Sequence, residues 1–155
     1  MPSSLEDQPL EGRFDGPEHR FAVRVYFEDT DLSGVVYHAN YLRYMERARS
    51  DMLRLAGIDQ RVAMEAGLGA YAVTALAIRY RRPARLDDAL VVVSRLTQIR
   101  AASVDIQQRV MRGDTILTDA EVTAALVATS GRPCRQPREW IEAFERLVDA
   151  GDKRA

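Results

Sequence analysis

The chain has 155 residues, 46% hydrophobic and 29% charged, and a formal net charge of -1. That is one domain's length with enough apolar material for a real core. Its near-neutral balance excludes the broad positive field that gathers nucleic acid or anionic membrane, although all but one of the 22 basic residues are arginine, a bias that codon composition explains more simply than phosphate recognition.

Residues 1–20 carry Asp, Glu, Pro, Gly and Ser without an apolar run. They read as a flexible N-terminal tail with no secretory h-region, leaving a single domain over residues 21–150. Phe21, Val23, Val25 and Phe27 then alternate with Ala22, Arg24, Tyr26 and Glu28, the pattern of a strand with one buried face. After a connection over residues 31–40 the period changes. Tyr41, Met45, Ala48, Met52 and Leu55 recur at helical spacing with Arg43, Arg47, Asp51 and Arg54 on the other side, and Gly57 supplies a stop. A short helical turn is expected over residues 59–66, with Gly67 behind it.

Four strands follow, centred on Leu76, Ile78 and Tyr80; on Val91, Val93 and Ile99; on Val104, Ile106 and Val110; and on Ile116, Val122, Ala124 and Leu126. Pro83, Asp87-Asp88, Ala101-Ala102-Ser103 and Gly113-Asp114 separate them as turns, so most pairing should be antiparallel. Pro137 opens a last helix whose stripe of Trp140, Ile141, Phe144, Leu147 and Val148 ends before Gly151. A curved five-stranded sheet wrapped around the long helix buries both the strand faces and residues 41–55, an α+β architecture. No stretch approaches the roughly 18 apolar residues of a membrane span, and Cys134, the single cysteine, permits neither an intramolecular disulfide nor a spaced zinc motif. The expectation is a cytoplasmic protein.

The chemistry concentrates in Phe27-Glu28-Asp29-Thr30-Asp31-Leu32-Ser33-Gly34-Val35-Val36-Tyr37-His38-Ala39-Asn40-Tyr41. Here a strand gives way to a glycine turn and then a helix. A carboxylate at Asp31 aimed at the first helical turn faces unpaired backbone N–H groups, so a carbonyl placed between them is polarised from one side and attacked from the other. Counted as a calcium loop from Asp29, the twelfth position is Asn40 rather than a bidentate carboxylate, and a strand leads in where a helix is required. An aspartate-nucleophile phosphatase needs a downstream lysine, and Lys153 is the only one.

Tyr26-Phe27-Glu28-Asp29-Thr30-Asp31, Gly34-Val35-Val36-Tyr37-His38-Ala39-Asn40-Tyr41, Glu46-Arg47-Ala48-Arg49 and Tyr80-Arg81-Arg82-Pro83-Ala84-Arg85-Leu86-Asp87-Asp88 closely resemble the Tol-Pal-associated acyl-CoA thioesterases. These belong to the 4-hydroxybenzoyl-CoA-thioesterase-like branch of the hotdog superfamily. The resemblance implies a hotdog fold, homodimers that often pair into homotetramers, active sites at the dimer interface and hydrolysis of acyl-CoA, with acyl carrier protein as an alternative acyl carrier. It makes Asp31 the catalytic aspartate and the backbone N–H near His38 the group that polarises the thioester carbonyl. Tyr37-His38-Ala39 departs from the Trp-Tyr-Pro of the aromatic-CoA enzymes, which speaks against an aromatic substrate.

An aspartate with an ordinary pKa of about 3.9 is ionised at neutral pH and can attack the thioester carbon or deprotonate a water, and neither route needs a metal or a cofactor. His38 has three open roles: orienting water, bonding to Asp31, or packing as a spacer. Gly34, Val35, Tyr37 and Asn40 are the substrate-binding candidates, with helix capping an alternative for Asn40. Glu46, flanked by Arg43, Arg47 and Arg49, reads as a structural ion pair. Arg81, Arg82, Arg85, Arg100, Arg132 and Arg135 are candidates for CoA phosphates. Two other readings stay open: a hotdog dehydratase or hydratase, and a module that binds acyl thioesters, or docks on envelope machinery, without turnover.

Overall fold

In the computed structural model, which describes residues 7–152, the long periodic segment forms helix α1 (Asn40–Leu55) and the short one helix α2 (Gln60–Glu65), capped by the Asp59 carboxylate on the Val62 amide. The strands are β1 (Arg13–Asp15), β2 (Glu18–Arg24), β3 (Ala70–Tyr80), β4 (Ala89–Ile99), β5 (Ser103–Arg112) and β6 (Thr115–Val127), and helix α3 (Arg138–Asp152) closes the series. They form one antiparallel sheet in the order β1-β2-β4-β5-β6-β3. Register shifts at Val73/Ala75, Leu96/Gln98 and Val110/Met111 are bulges of the kind that bend strands and curl a sheet.

The concave face holds α1. Tyr41, Tyr44, Met45 and Ala48 pack on Val25, Leu90, Val92, Val110 and Leu117, while Met52 and Leu53 continue the core to Leu96, Val104, Ile106 and Phe144 of α3. The expected hotdog arrangement is therefore present, with six strands instead of five.

Four local expectations are corrected. Of the residues assigned to a flexible tail, 13–15 and 18–20 are strand, paired Arg13 to Arg20 and Asp15 to Glu18, while residues 1–6 lie outside the described region. The cause is long-range: His19 is buried, with its Nε2 2.6 Å from Oδ2 of Asp51 on α1, and the same oxygen accepts the Gly12 N–H at 2.9 Å. Asp51, assigned to the polar face, is buried for that purpose. Phe27, expected inside, is 81% exposed, because the strand stops at Arg24 and Phe27–Asp29 is a 3-10 turn. α3 also runs on through Gly151.

Candidate active site

Asp31 follows β2 by seven residues, so the strand does not run directly into the glycine turn. The intervening chain is tied down instead. Val25 exchanges backbone bonds with Asp87 and Asp88, and the buried Asp29 carboxylate accepts the Tyr26 N–H at 2.8 Å. The Asp29 carbonyl then accepts both the Tyr37 N–H at 2.9 Å and the Asn40 side-chain amide at 2.8 Å, which closes the loop back onto the start of α1. Asn40 thus neither caps the helix nor faces open space: the N-cap is Ala39, with no side-chain cap.

Within this closed loop the Asp31 carboxylate is solvent-exposed. One oxygen accepts the Ser33 N–H at 2.8 Å and the Ser33 hydroxyl, while Gly34, at φ +80°, donates its N–H to the Asp31 carbonyl. That φ lies in the left-handed region and explains the glycine; no atom crowds the place where a Cβ would sit. The Asp31 N–H bonds to the Val35 carbonyl, and Val35 bridges to Arg85 on the following loop. The two bonds from Ser33, hydroxyl first and amide second, hold the Asp31 carboxyl below the usual carboxylate range, with the charge of His38 adding in the same direction.

At the helix start the amide N–H groups of His38 and Ala39 have no acceptor among the described residues, the normal condition of a first turn. The Tyr37 and His38 rings are exposed and lie 4.4 Å apart. His38 lines an open cleft with Tyr41, Tyr80, Arg81, Arg82 and Pro83. A separate cavity of about 250 Å³ lies further along α1 between Met52, Leu53, Leu96, Ile106 and Phe144, with Glu46 on its rim. Asp31 borders neither.

Glu46 makes no ion pair among the described residues, contrary to expectation; Arg49 turns inward to Gln108 Oε1 at 2.9 Å, and Gln108 is itself held by the Met45 carbonyl and Ser94. Of the arginines proposed for phosphate, Arg81 is paired with Asp119 and Arg100 with Asp105. Sequence reasoning missed the structural parts played by Ser33, Asp29 and Tyr80. An Asx-type turn in Asp31-Leu32-Ser33-Gly34 was the signal available for the first.

A curled antiparallel sheet around one helix, carrying an acid on a glycine turn beside that helix's first amides, defines the hotdog class of fold and site. Residues 25–146 match the thioesterase-like superfamily, and the chain belongs to it. Over 128 residues it is 41% identical to the acyl-CoA thioesterase YbgC of Haemophilus influenzae, covering 82% of this chain and 94% of that one. Over 129 residues it is 38% identical to the acyl-CoA thioester hydrolase YbgC of Escherichia coli O6:H1, covering 82% and 96%. Among solved structures, a probable thioesterase from Bartonella henselae is similar at TM-score 0.73 and 36% identity, covering 77% of this chain and 99% of that one. A thioesterase from Thermus thermophilus, solved with coenzyme A and Zn, is similar at TM-score 0.72 and 26% identity, covering 88% and 98%.

Proposed function

We propose that the protein hydrolyses acyl-CoA to a free carboxylic acid and CoA. Family membership makes thioester hydrolysis the expected chemistry, and one observation carries the site: the exposed Asp31 carboxylate, held by Ser33 through one oxygen only, stands on a loop that Asp29 closes onto Tyr37 and Asn40, on either side of the His38 and Ala39 amides, which have no acceptor among the described residues. As general base, Asp31 takes a proton from water as the water oxygen bonds to the thioester carbon. The carbonyl oxygen becomes an oxyanion facing the His38 and Ala39 N–H groups. Collapse breaks the C–S bond and the departing thiolate takes up the proton. As nucleophile, the Asp31 carboxylate forms the C–O bond itself, the C–S bond breaks to release CoA thiolate, which takes up a proton from solvent, and water then cleaves the mixed anhydride to the free acid and the regenerated Asp31 carboxylate. Each oxyanion donor is worth about 2.7–4 kcal/mol in comparable sites.

His38 would orient the attacking water, and Gly34, Val35 and Tyr37 would wall the pantetheine side, with Asn40 bracing the loop. Arg82, in the cleft with His38 and Tyr80, is the best-placed cation for CoA phosphates. Because Asp31 lies open on a single chain, the reading includes a second copy. Among the described residues β3 pairs only with β6, and it presents Val73, Leu76 and Tyr80 at 40–49% exposure, which supports edge-to-edge dimers, pairing further into tetramers, with the site at the interface. The setting proposed is the cytoplasmic side of Tol-Pal-associated envelope metabolism, with acyl carrier protein as an alternative acyl carrier.

The test is thiol release from a panel of acyl-CoAs by wild type and by Asp31→Asn. Release by wild type that falls roughly 10²–10⁴-fold in the variant is expected. No release from any substrate, or equal rates, sinks the reading; rapid-quench mass spectrometry for an acylated Asp31 separates the two routes.

A further inference from the structure

We propose that Tyr80 is a positioning residue of this site: its hydroxyl donates to the His38 carbonyl at 2.8 Å and thereby sets the plane, and sharpens the donor, of the peptide whose N–H at Ala39 meets the oxyanion. The inference rests on the thioester-hydrolase reading and adds to it a residue on a different element, 42 positions away in the chain.

The argument is geometrical. In a trans peptide the N–H points opposite to the C=O, and no peptide among the described residues is cis. The two peptides ahead of Asn40 that end in His38 and Ala39 carry N–H groups without an acceptor among the described residues, and each is steered by whatever holds its carbonyl. The peptide joining Tyr37 to His38 is held by backbone, because the Tyr37 carbonyl accepts the Asn40 N–H at 2.8 Å. The peptide joining His38 to Ala39 has the Tyr80 hydroxyl on its carbonyl. Hydrogen bonding at a carbonyl also polarises the same peptide's N–H, strengthening it as a donor by roughly 10–30%.

The tyrosine is itself well braced. It ends β3 opposite Thr118, and the next two amides, of Arg81 and Arg82, both donate to the Leu117 carbonyl. Its ring packs edge-on to Tyr41 at 5.6 Å and to His38 at 6.3 Å, and Tyr41 is buried with its hydroxyl accepting the Ala84 N–H. A phenol ordinarily titrates near about 10, so the Tyr80 hydroxyl keeps its proton at neutral pH and donates, and partial desolvation pushes it further in the same direction.

Tyr80→Phe keeps the ring and removes the donor. The expected result is a kcat about tenfold lower, with KM within about twofold and the acid limb of the pH profile in place, since Asp31 is untouched. In the free protein, the Ala39 amide proton should move upfield in the variant. Fluorotyrosine at position 80, a stronger donor in the unaltered fold, should move it downfield. Tyr80→Phe with kcat within about twofold of wild type overturns the proposal, as does an Ala39 resonance that ignores both changes. Should wild type release no thiol, the hydrolase reading fails on its own, and the Ala39 resonance still decides whether Tyr80 steers that peptide.

Discussion

Asp31 and Asp51 are both carboxylates near the central helix, and they are opposites in what surrounds them. Asp51 is buried, and one of its oxygens is shared by a histidine ring and a backbone amide; Asp31 is exposed, and among the described residues only Ser33 hydrogen-bonds to its carboxylate. The first ties the β1–β2 hairpin to α1; the second has one oxygen with no hydrogen-bond partner among the described residues, which is what the proposed chemistry requires. A carboxylate spent on internal partners is structural, and one left under-used on a rigid loop is available for chemistry.

That contrast breaks most sharply on activity. Asp31→Asn should remove the roughly 10²–10⁴-fold contribution of an acid-base group while shifting the melting temperature by no more than a degree or two, read by calorimetry beside the thiol assay. A large loss of stability would mean that Asp31 is structural after all. Asp51→Asn should do the reverse. Disrupting a buried polar pair costs about 3 kcal/mol, or roughly 6–12 °C in a chain of this size, while thiol release below the new transition continues at close to the wild-type rate.

A smaller effect concerns pH. Burial pushes the His19 ring below its ordinary pKa against the opposing pull of Asp51, and its Nδ1 has no partner among the described residues to accept from an added proton there. The unfolded chain therefore binds more protons than the folded one below about pH 6.5. Stability should decline as pH falls from about 7.5 to about 5, and His19→Gln should flatten that decline in denaturant titrations. The smallest expected change is at Ser33. Removing its hydroxyl with Ser33→Ala should raise the Asp31 titration toward the ordinary value near about 3.9, followed by carbon NMR of the carboxyl, and leave folding unaltered.

The division between local and distant causes also explains what could be read from sequence. α1, α3 and the strand centres follow from periodicities of about two and about 3.6, which each segment carries within itself. So does the placing of Asp31 on a glycine turn before a helix, and the likeness of residues 26–31 and 34–41 to a family motif. The β1–β2 hairpin could not be seen because Asp15-Gly16-Pro17-Glu18 has the composition of a loose tail, and its order depends on Asp51, 32 residues beyond His19. Tyr80 looked like one more inward strand residue for the same reason. Glu46 reads as a structural ion pair because Arg43, Arg47 and Arg49 flank it, yet among the described residues it pairs with none of them, and Gln108, from a strand 59 residues away, takes Arg49.

The side chains of a strand swap faces with every single-residue slip of register. β3 has β6 on one side and, among the described residues, an open edge on the other, and its last residue carries the hydroxyl that holds the His38 carbonyl. The ladder from Ala70 against Val127 to Tyr80 against Thr118 is thus a ruler as well as a wall: it meters where one phenol arrives, and through it where an amide hydrogen looks.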